Sequence, residues 1–129
     1  MWSRPHSSDA QPALWYAEHM REHARPTAAV GLNDHEALAL LGAAQEASLR
    51  VPEDIAVVGF DDLPHVAHLR PPLTTVAQPR EDIGLQAGTL LINRIEGYDG
   101  PPRRIRLPTS LVVRESCGAK LRVRQSIGG

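Results

Sequence analysis

Two stretches of this chain, Thr27 to Leu32 and Ile55 to Phe60, are apolar without alternation, and the segments around them place apolar residues every three or four positions. An unbroken apolar run marks a strand covered on both faces in a parallel sheet, whereas the longer period marks a helix with one buried stripe. The pattern predicts a first helix over Ala13 to Ala24, with Leu14, Ala17 and Met20 or Arg21 on one side, ended by Arg25-Pro26 because a residue before proline avoids helical angles. A second helix, from Asp34 to Leu49, turns Ala37, Leu38, Leu41 and Ala44 inward and is closed by Arg50-Val51-Pro52. Asn33-Asp34 can cap it, and Glu36 puts negative charge in its first turn. This helix is the crossover of a βαβ unit, and Ile55 to Phe60, bounded by acids on both sides, is expected to be the central strand.

Leu73 to Val76 reads as a short strand and Arg80 to Ile95 as a helix, with Ile83, Ala87, Leu90, Leu91 and Ile95 at helical spacing. Gly97 and Gly100-Pro101-Pro102 stop it, and two extended segments, Arg104 to Leu107 and Leu111 to Val113, follow on either side of Pro108. The predicted class is α/β, a doubly wound and mostly parallel sheet. At 129 residues one domain is expected. It occupies residues 13–117, between a loose tail at 1–12, broken by Pro5 and Pro12, and a second tail at 118–129 that ends in Gly-Gly.

Charge changes this picture by exclusion. Fourteen basic against fifteen acidic residues give a formal charge of −1, too little positive field to hold a nucleic-acid backbone. With one Phe, two Tyr and two Trp, a surface that stacks single-stranded bases is hard to assemble. The single cysteine, Cys117, excludes an intrachain disulfide and points to a reducing compartment. No apolar run is long enough to cross a bilayer and the N-terminus lacks a signal-peptide core, so a cytoplasmic product is expected.

Ligands of open parallel sheets bind beyond the carboxyl ends of the strands, where the strand-to-helix loops emerge. Asn33 follows the first clear strand and Asp61-Asp62 follows the second, so both sets fall on one rim if the strands are neighbours. A carboxylate accepts two hydrogen bonds side by side and an amide both donates and accepts, a pairing that suits sugar hydroxyls or a nucleobase edge. Asn33 or Asp34 as a plain helix cap, and Asp61-Asp62 as the opening of a turn before Pro64, account for the same residues equally well. Asp61, Asp62, His65 and His68 can be drawn as a metal site, but a proline-rich surface loop with solvated histidines explains them with fewer demands. There is no G-x-S-x-G elbow, P-loop or G-x-G-x-x-G, and the only lysine, Lys120, lies outside the sheet, where a phosphoacceptor receiver domain has no use for it. No catalytic residue, metal or cofactor is assigned.

Read in order, Arg25-Pro26-Thr27-Ala28, Asn33-Asp34, Leu49-Arg50-Val51-Pro52-Glu53-Asp54-Ile55, Val57-Val58-Gly59-Phe60-Asp61-Asp62, Pro71-Pro72-Leu73-Thr74-Thr75-Val76, Gln78-Pro79 and Leu111-Val112-Val113-Arg114-Glu115-Ser116 resemble the C-terminal part of the effector-binding domain of LacI/GalR-family transcription regulators. The resemblance covers residues 13–117. It implies a partial periplasmic-binding-protein-like lobe that helps close over a small effector, commonly a sugar, nucleoside or purine, with Asn33 and Asp61 as effector contacts. It also implies a dimer face on the second helix and on the loop from Leu63 to Pro72. Leu38, Leu41 and Leu69 are the candidate contacts there, with core packing the alternative for the two helical leucines.

The family chain is usually more than twice as long and reads operator DNA through a helix-turn-helix absent here, so the resemblance implies a truncated regulator that meets DNA only through that missing part. The helix at Arg80 to Ile95 normally packs on the absent lobe, and Ile83, Leu90, Leu91 and Ile95 are then expected to be exposed. Two functions follow as expectations. One is a ligand-sensing, homodimerising part of a repressor; the other is a free-standing interaction module that pairs with a separate lobe or an intact regulator.

Overall fold

The computed structural model describes residues 12–21 and 26–119. Its elements run α1 (Pro12–Met20), β1 (Ala28–Val30), α2 (Asp34–Glu46), β2 (Ala56–Asp61), a 3-10 helix (Pro64–His68), β3 (Thr74–Ala77), α3 (Arg80–Ile95) and β4 (Ser110–Val112). The strands form one sheet in the order β1-β2-β3-β4. The first three are parallel, and β4 returns antiparallel to β3. The α/β class, the parallel pairing and the central place of β2 are those the apolar pattern predicts. Of the two extended segments only the second enters the sheet; Arg104 to Leu107 pairs with no strand. Of the tails expected at 1–12 and 118–129, residues 1–11 and 120–129 lie outside the described residues, as does the last turn of the first helix at 22–24, while Pro12 opens α1.

The core sits between β2, α2 and α1. Val57 from β2, with Ile55 just before it, Leu73 at the entry to β3, Val66 of the 3-10 helix, and Ala37, Leu40, Ala43 and Ala44 of α2 are buried together with Ala17 and Met20 of α1. The buried stripe of α2 is rotated from the expected one. Leu40 replaces Leu38 and Leu41, which are half-buried on its flanks. Small residues explain the rotation, because alanines at 37, 43 and 44 let the helix axis approach β2 while α1 covers its other side.

Coverage of the sheet is one-sided. Along β2 the buried positions are Val57 and Gly59, whereas Ala56, Val58 and Phe60 on the opposite face are half-buried. On the edge strand β1, Val30 is 75% exposed, and α3 buries no residue at all. The expectation of strands covered on both faces fails for this reason: α2 is the helix that packs on β2, with α1 behind it. The stripe of α3 behaves as the resemblance implies, with Ile83, Leu91 and Ile95 exposed and Leu90 half-buried.

Helix ends are set by local chemistry. α2 stops at Glu46, three residues before the expected Leu49, because Ser48 takes a φ of 56° and the chain reverses. Its amide then donates to the Gln45 carbonyl and the Leu49 amide to that of Ala44, the paired bonds of a Schellman motif. Gly97 closes α3 in the same way at a φ of 101°, with Gly97 bonded to Arg94 and Tyr98 to Asn93. The turn into β2 is held by Asp54, which accepts from the Arg50 amide and guanidinium; that hydrogen bond, reinforced by the charge, raises the arginine's pKa above its ordinary value.

Two glycines permit close approach beneath α2. A Cβ on Gly31 would lie 2.6 Å from the Ala37 amide nitrogen, and one on Gly59 would lie 2.3 Å from an Asp34 carboxylate oxygen. Gly59→Ala should therefore destabilise the chain by about 1–3 kcal/mol, the usual cost of overpacking. A thermal melt followed by circular dichroism checks it; a midpoint within about 2 °C of the unaltered chain contradicts the packing described, since 1 kcal/mol is worth roughly 4–8 °C at this size.

Candidate effector site

Parallel register brings the two predicted polar residues to equivalent places. Val30 pairs with Val58, and Asn33 and Asp61 each stand three residues further on; Asn33 lies past the end of β1, whereas Asp61, expected to follow its strand, is the last residue of β2 and pairs with Ala77. Asn33 is the N-cap of α2, its extended backbone and its Oδ1 accepting the Glu36 amide at 2.9 Å. Glu36 returns the favour one residue earlier, accepting the Leu32 amide at 3.1 Å and the Tyr16 hydroxyl at 2.5 Å. The cap reading of Asn33 thus holds, and it leaves the exposed amide's two Nδ2 hydrogens without a protein partner among the described residues. Asp61 is half-buried at the end of β2. One carboxylate oxygen accepts from Gln78 Nε2 at 2.5 Å, and the other has no protein partner among the described residues.

Asp34, one residue into α2, organises the rim from beneath. Its side chain is fully buried, one oxygen accepting the Thr75 hydroxyl at 2.6 Å and the other the Leu63 amide at 2.8 Å. Thr75 in turn receives the Asp62 amide at 3.4 Å. The end of β1, the corner after β2 and the middle of β3 are thereby tied to one carboxyl group.

The corner itself is strained. Asp61 and Asp62 have φ of 116° and 53°, a conformation that costs non-glycine residues of order 1–3 kcal/mol each. Two arginines brace it. Arg80, at the start of α3, donates to the carbonyl oxygens of Asp61 at 2.6 Å and Asp62 at 3.2 Å. Arg114, after β4, pairs with the Asp62 carboxylate at 2.7 Å and donates to the Leu73 carbonyl at 2.8 Å. Asp61-Asp62 is thus more than the opening of a turn.

The sequence places Asn33 and Asp61 on this rim but does not single out Asp34 as a hub, nor Thr75, Gln78, Arg80 and Arg114. The partners of the two aspartates at the corner stand 13 to 52 residues away along the chain, too far for any local period to reveal. Asp34 was visible only as an alternative cap.

His65 and His68 are exposed on the 3-10 helix, with the His65 ring 6.3 Å from that of His35. Among the described residues no group of three or more His, Cys, Asp or Glu is placed to hold a metal. Of the three leucines singled out for subunit contact, Leu41 and Leu69 are half-buried against the core, and Leu38 is half-buried beside them. Two open grooves, of about 180 and 450 Å³, flank α3, and the larger reaches Gln78 while including neither Asn33 nor Asp61.

The mostly parallel four-stranded sheet with its helices is that of a partial periplasmic-binding-protein-like lobe. The model of the periplasmic binding protein-like domain matches residues 2–117. The chain belongs to this family in the form found in LacI-type transcription regulators. It is 39% identical over 103 residues to the transcriptional repressor PurR of Aliivibrio fischeri, covering 80% of this chain and 31% of that protein. It is 45% identical over 92 residues to a lactose operon repressor of Rhizobium radiobacter, covering 71% of this chain and 80% of the relative. Among solved structures, a LacI-family regulator of Sanguibacter keddieii superimposes with a TM-score of 0.77 at 37% identity, over 84% of this chain and 42% of that one. The complex of the regulator CelR with cellobiose gives 0.75 at 38% identity, over 81% and 32%. The chain thus spans about a third of the length of the PurR relatives it matches. These relatives are transcription regulators, not enzymes.

Asp34→Asn retains the shape of the side chain and one acceptor while presenting an NH2 group to a donor it cannot satisfy. A loss of about 1–3 kcal/mol is expected, the cost of a buried unsatisfied polar group. Urea unfolding measures it, and an unchanged midpoint would remove Asp34 from the centre of this network.

Proposed function

We propose that this chain is the ligand-sensing part of a LacI-type repressor and that Asn33 and Asp61 contact a small effector, a sugar or a nucleoside. One observation carries the reading. At equivalent register positions where adjacent parallel strands end, an amide and a carboxylate that each keep a group without a partner among the described residues are held in place, Asn33 by its capping bond and Asp61 by Gln78. Donor and acceptor side by side match a pair of vicinal hydroxyls. Three similar regulators have been solved with such molecules, cellobiose in one, lactose in another and ribose in a third, which favours a sugar. Effector would act by binding one closure state more tightly than another. The regulatory output belongs to a DNA-reading segment outside this chain, and a cytoplasmic location goes with it. No helix among the described residues is long and apolar enough to cross a membrane.

Thermal unfolding of the full chain with lactose, cellobiose, ribose and adenosine tests the site, since a ligand of the folded state raises its stability by linkage. At 100 times Kd the gain is about 2.7 kcal/mol. The shift should vanish in Asn33→Ala and Asp61→Ala. Equal shifts in the two variants and the unaltered chain would place the ligand elsewhere.

Pairing between copies belongs to the same proposal, through the outer side of α2 and the 3-10 helix. Leu41 and Leu69 lean on the core, so Leu38 is the residue whose loss tests pairing with least damage to the fold. Sedimentation equilibrium should report a dimer that Leu38→Glu converts to monomer. A chain that is already monomeric at tens of micromolar rejects this face.

A further inference from the structure

We propose that Arg114 is a positioning residue for the effector site: its ion pair with Asp62 sets the left-handed turn that holds the Asp61 carboxylate at the rim. The inference rests on the proposed role of Asp61.

Two consecutive aspartates at positive φ are not a conformation that the residues choose for themselves. Asp tolerates the left-handed region better than most side chains, yet such backbone persists only where its surroundings over-determine it. At Asp61 and Asp62 the surroundings are specific. The Asp62 carboxylate meets Arg114 Nη2 at 2.7 Å, and Arg114 Nη1 is anchored at 2.8 Å to the Leu73 carbonyl, next to β3. One planar guanidinium therefore spans the gap between the strained corner and the entry to the neighbouring strand, a job suited to its fixed fork of donors.

Arg114 cannot drift. Its amide donates to Thr74 Oγ1 at 2.8 Å, and two residues on, the buried Ser116 hydroxyl accepts the Thr74 amide at 2.8 Å and donates to the Val57 carbonyl at 2.6 Å. The Ser116 carbonyl also accepts the Val57 amide. The backbone that carries Arg114 is thus sewn to β2 and β3, the strands whose ends the corner joins. Its side chain is only 18% exposed and that of Asp62 27%, so solvent competes weakly for the pair. A second salt bridge, Arg50 with Asp54, has a 72% exposed guanidinium and closes a turn at the opposite end of β2. It serves as the control.

The test uses the full chain and nuclear magnetic resonance, reading the HN–Hα couplings and Cα shifts of Asp61 and Asp62, which report φ directly. Arg114→Ala should move both residues away from their positive-φ values, with amide changes concentrated at 60–63 and 73–75, while Arg50→Ala leaves them untouched. Arg114→Gln, which retains a donor for Leu73 and removes the ion pair, should do the same at Asp62 and provides the reading if the alanine variant does not fold. Unchanged couplings in a folded Arg114 variant, with only a lower melting point, would overturn the proposal and reduce the pair to plain stabilisation.

Titration with the sugar that shifts the unaltered chain then separates the two claims. At least tenfold weaker affinity in the Arg114 variant, alongside the altered couplings, supports positioning. Altered couplings with undiminished affinity would overturn the link to Asp61 as an effector contact. If lactose, cellobiose, ribose and adenosine all fail to bind the unaltered chain, the effector reading fails, and the couplings still decide whether Arg114 sets the turn.

Discussion

The rim of this lobe depends on one buried carboxyl group. Asp34 is the first residue of α2, and its two oxygens are spent on Thr75 in β3 and on the amide of Leu63 beyond β2. Removing a polar group from water is costly unless its hydrogen bonds are replaced, and here both oxygens are satisfied within the protein. The consequence is geometric. A helix start, a strand corner and a strand interior are held to a common point, so the residues beside each, Asn33, Asp61 and Gln78, inherit fixed relative places.

Gly59 is the counterpart of that carboxyl group. It supplies the space into which the Asp34 side chain projects, and any Cβ there would collide with it. A strand position that reads as a weak point in an apolar run is thus a requirement of the polar network above it. The same trade recurs at Gly31, where the backbone of β1 passes close to α2.

Much of the architecture was legible because it is local. The apolar runs marked β1 and β2, the three-to-four period marked α2 and α3, and Gly97 marked the end of α3 where a left-handed residue was needed. Asn33 and Asp61 could be placed on one rim because parallel strands make that rim a matter of topology rather than of detail. What escaped is what joins distant parts. Ser116 links to Val57 across 59 residues, and Arg114 to Asp62 across 52. The end of α2 was misjudged because serine is not the usual left-handed residue, and its buried stripe because alanine packing outweighed the leucines on its flanks. The one-sided cover of β1 was misread for a related reason: composition reports that a face is apolar, not that a helix lies over it.

α3 shows how the same corner can reach beyond the site. Among the described residues the helix buries no side chain. Its first turn is bound instead, through Arg80 to the carbonyl oxygens of Asp61 and Asp62. Gln78, two residues before the helix, holds the Asp61 carboxylate. A ligand that took the second oxygen of Asp61 would therefore act on a residue whose main chain and side chain are both tied to the entry of α3. Coupling between sites requires an element with more than one accessible arrangement that the ligand can bias. α3 is tied to the corner through its first turn, so a bias at Asp61 would reach that helix by way of Arg80 and Gln78.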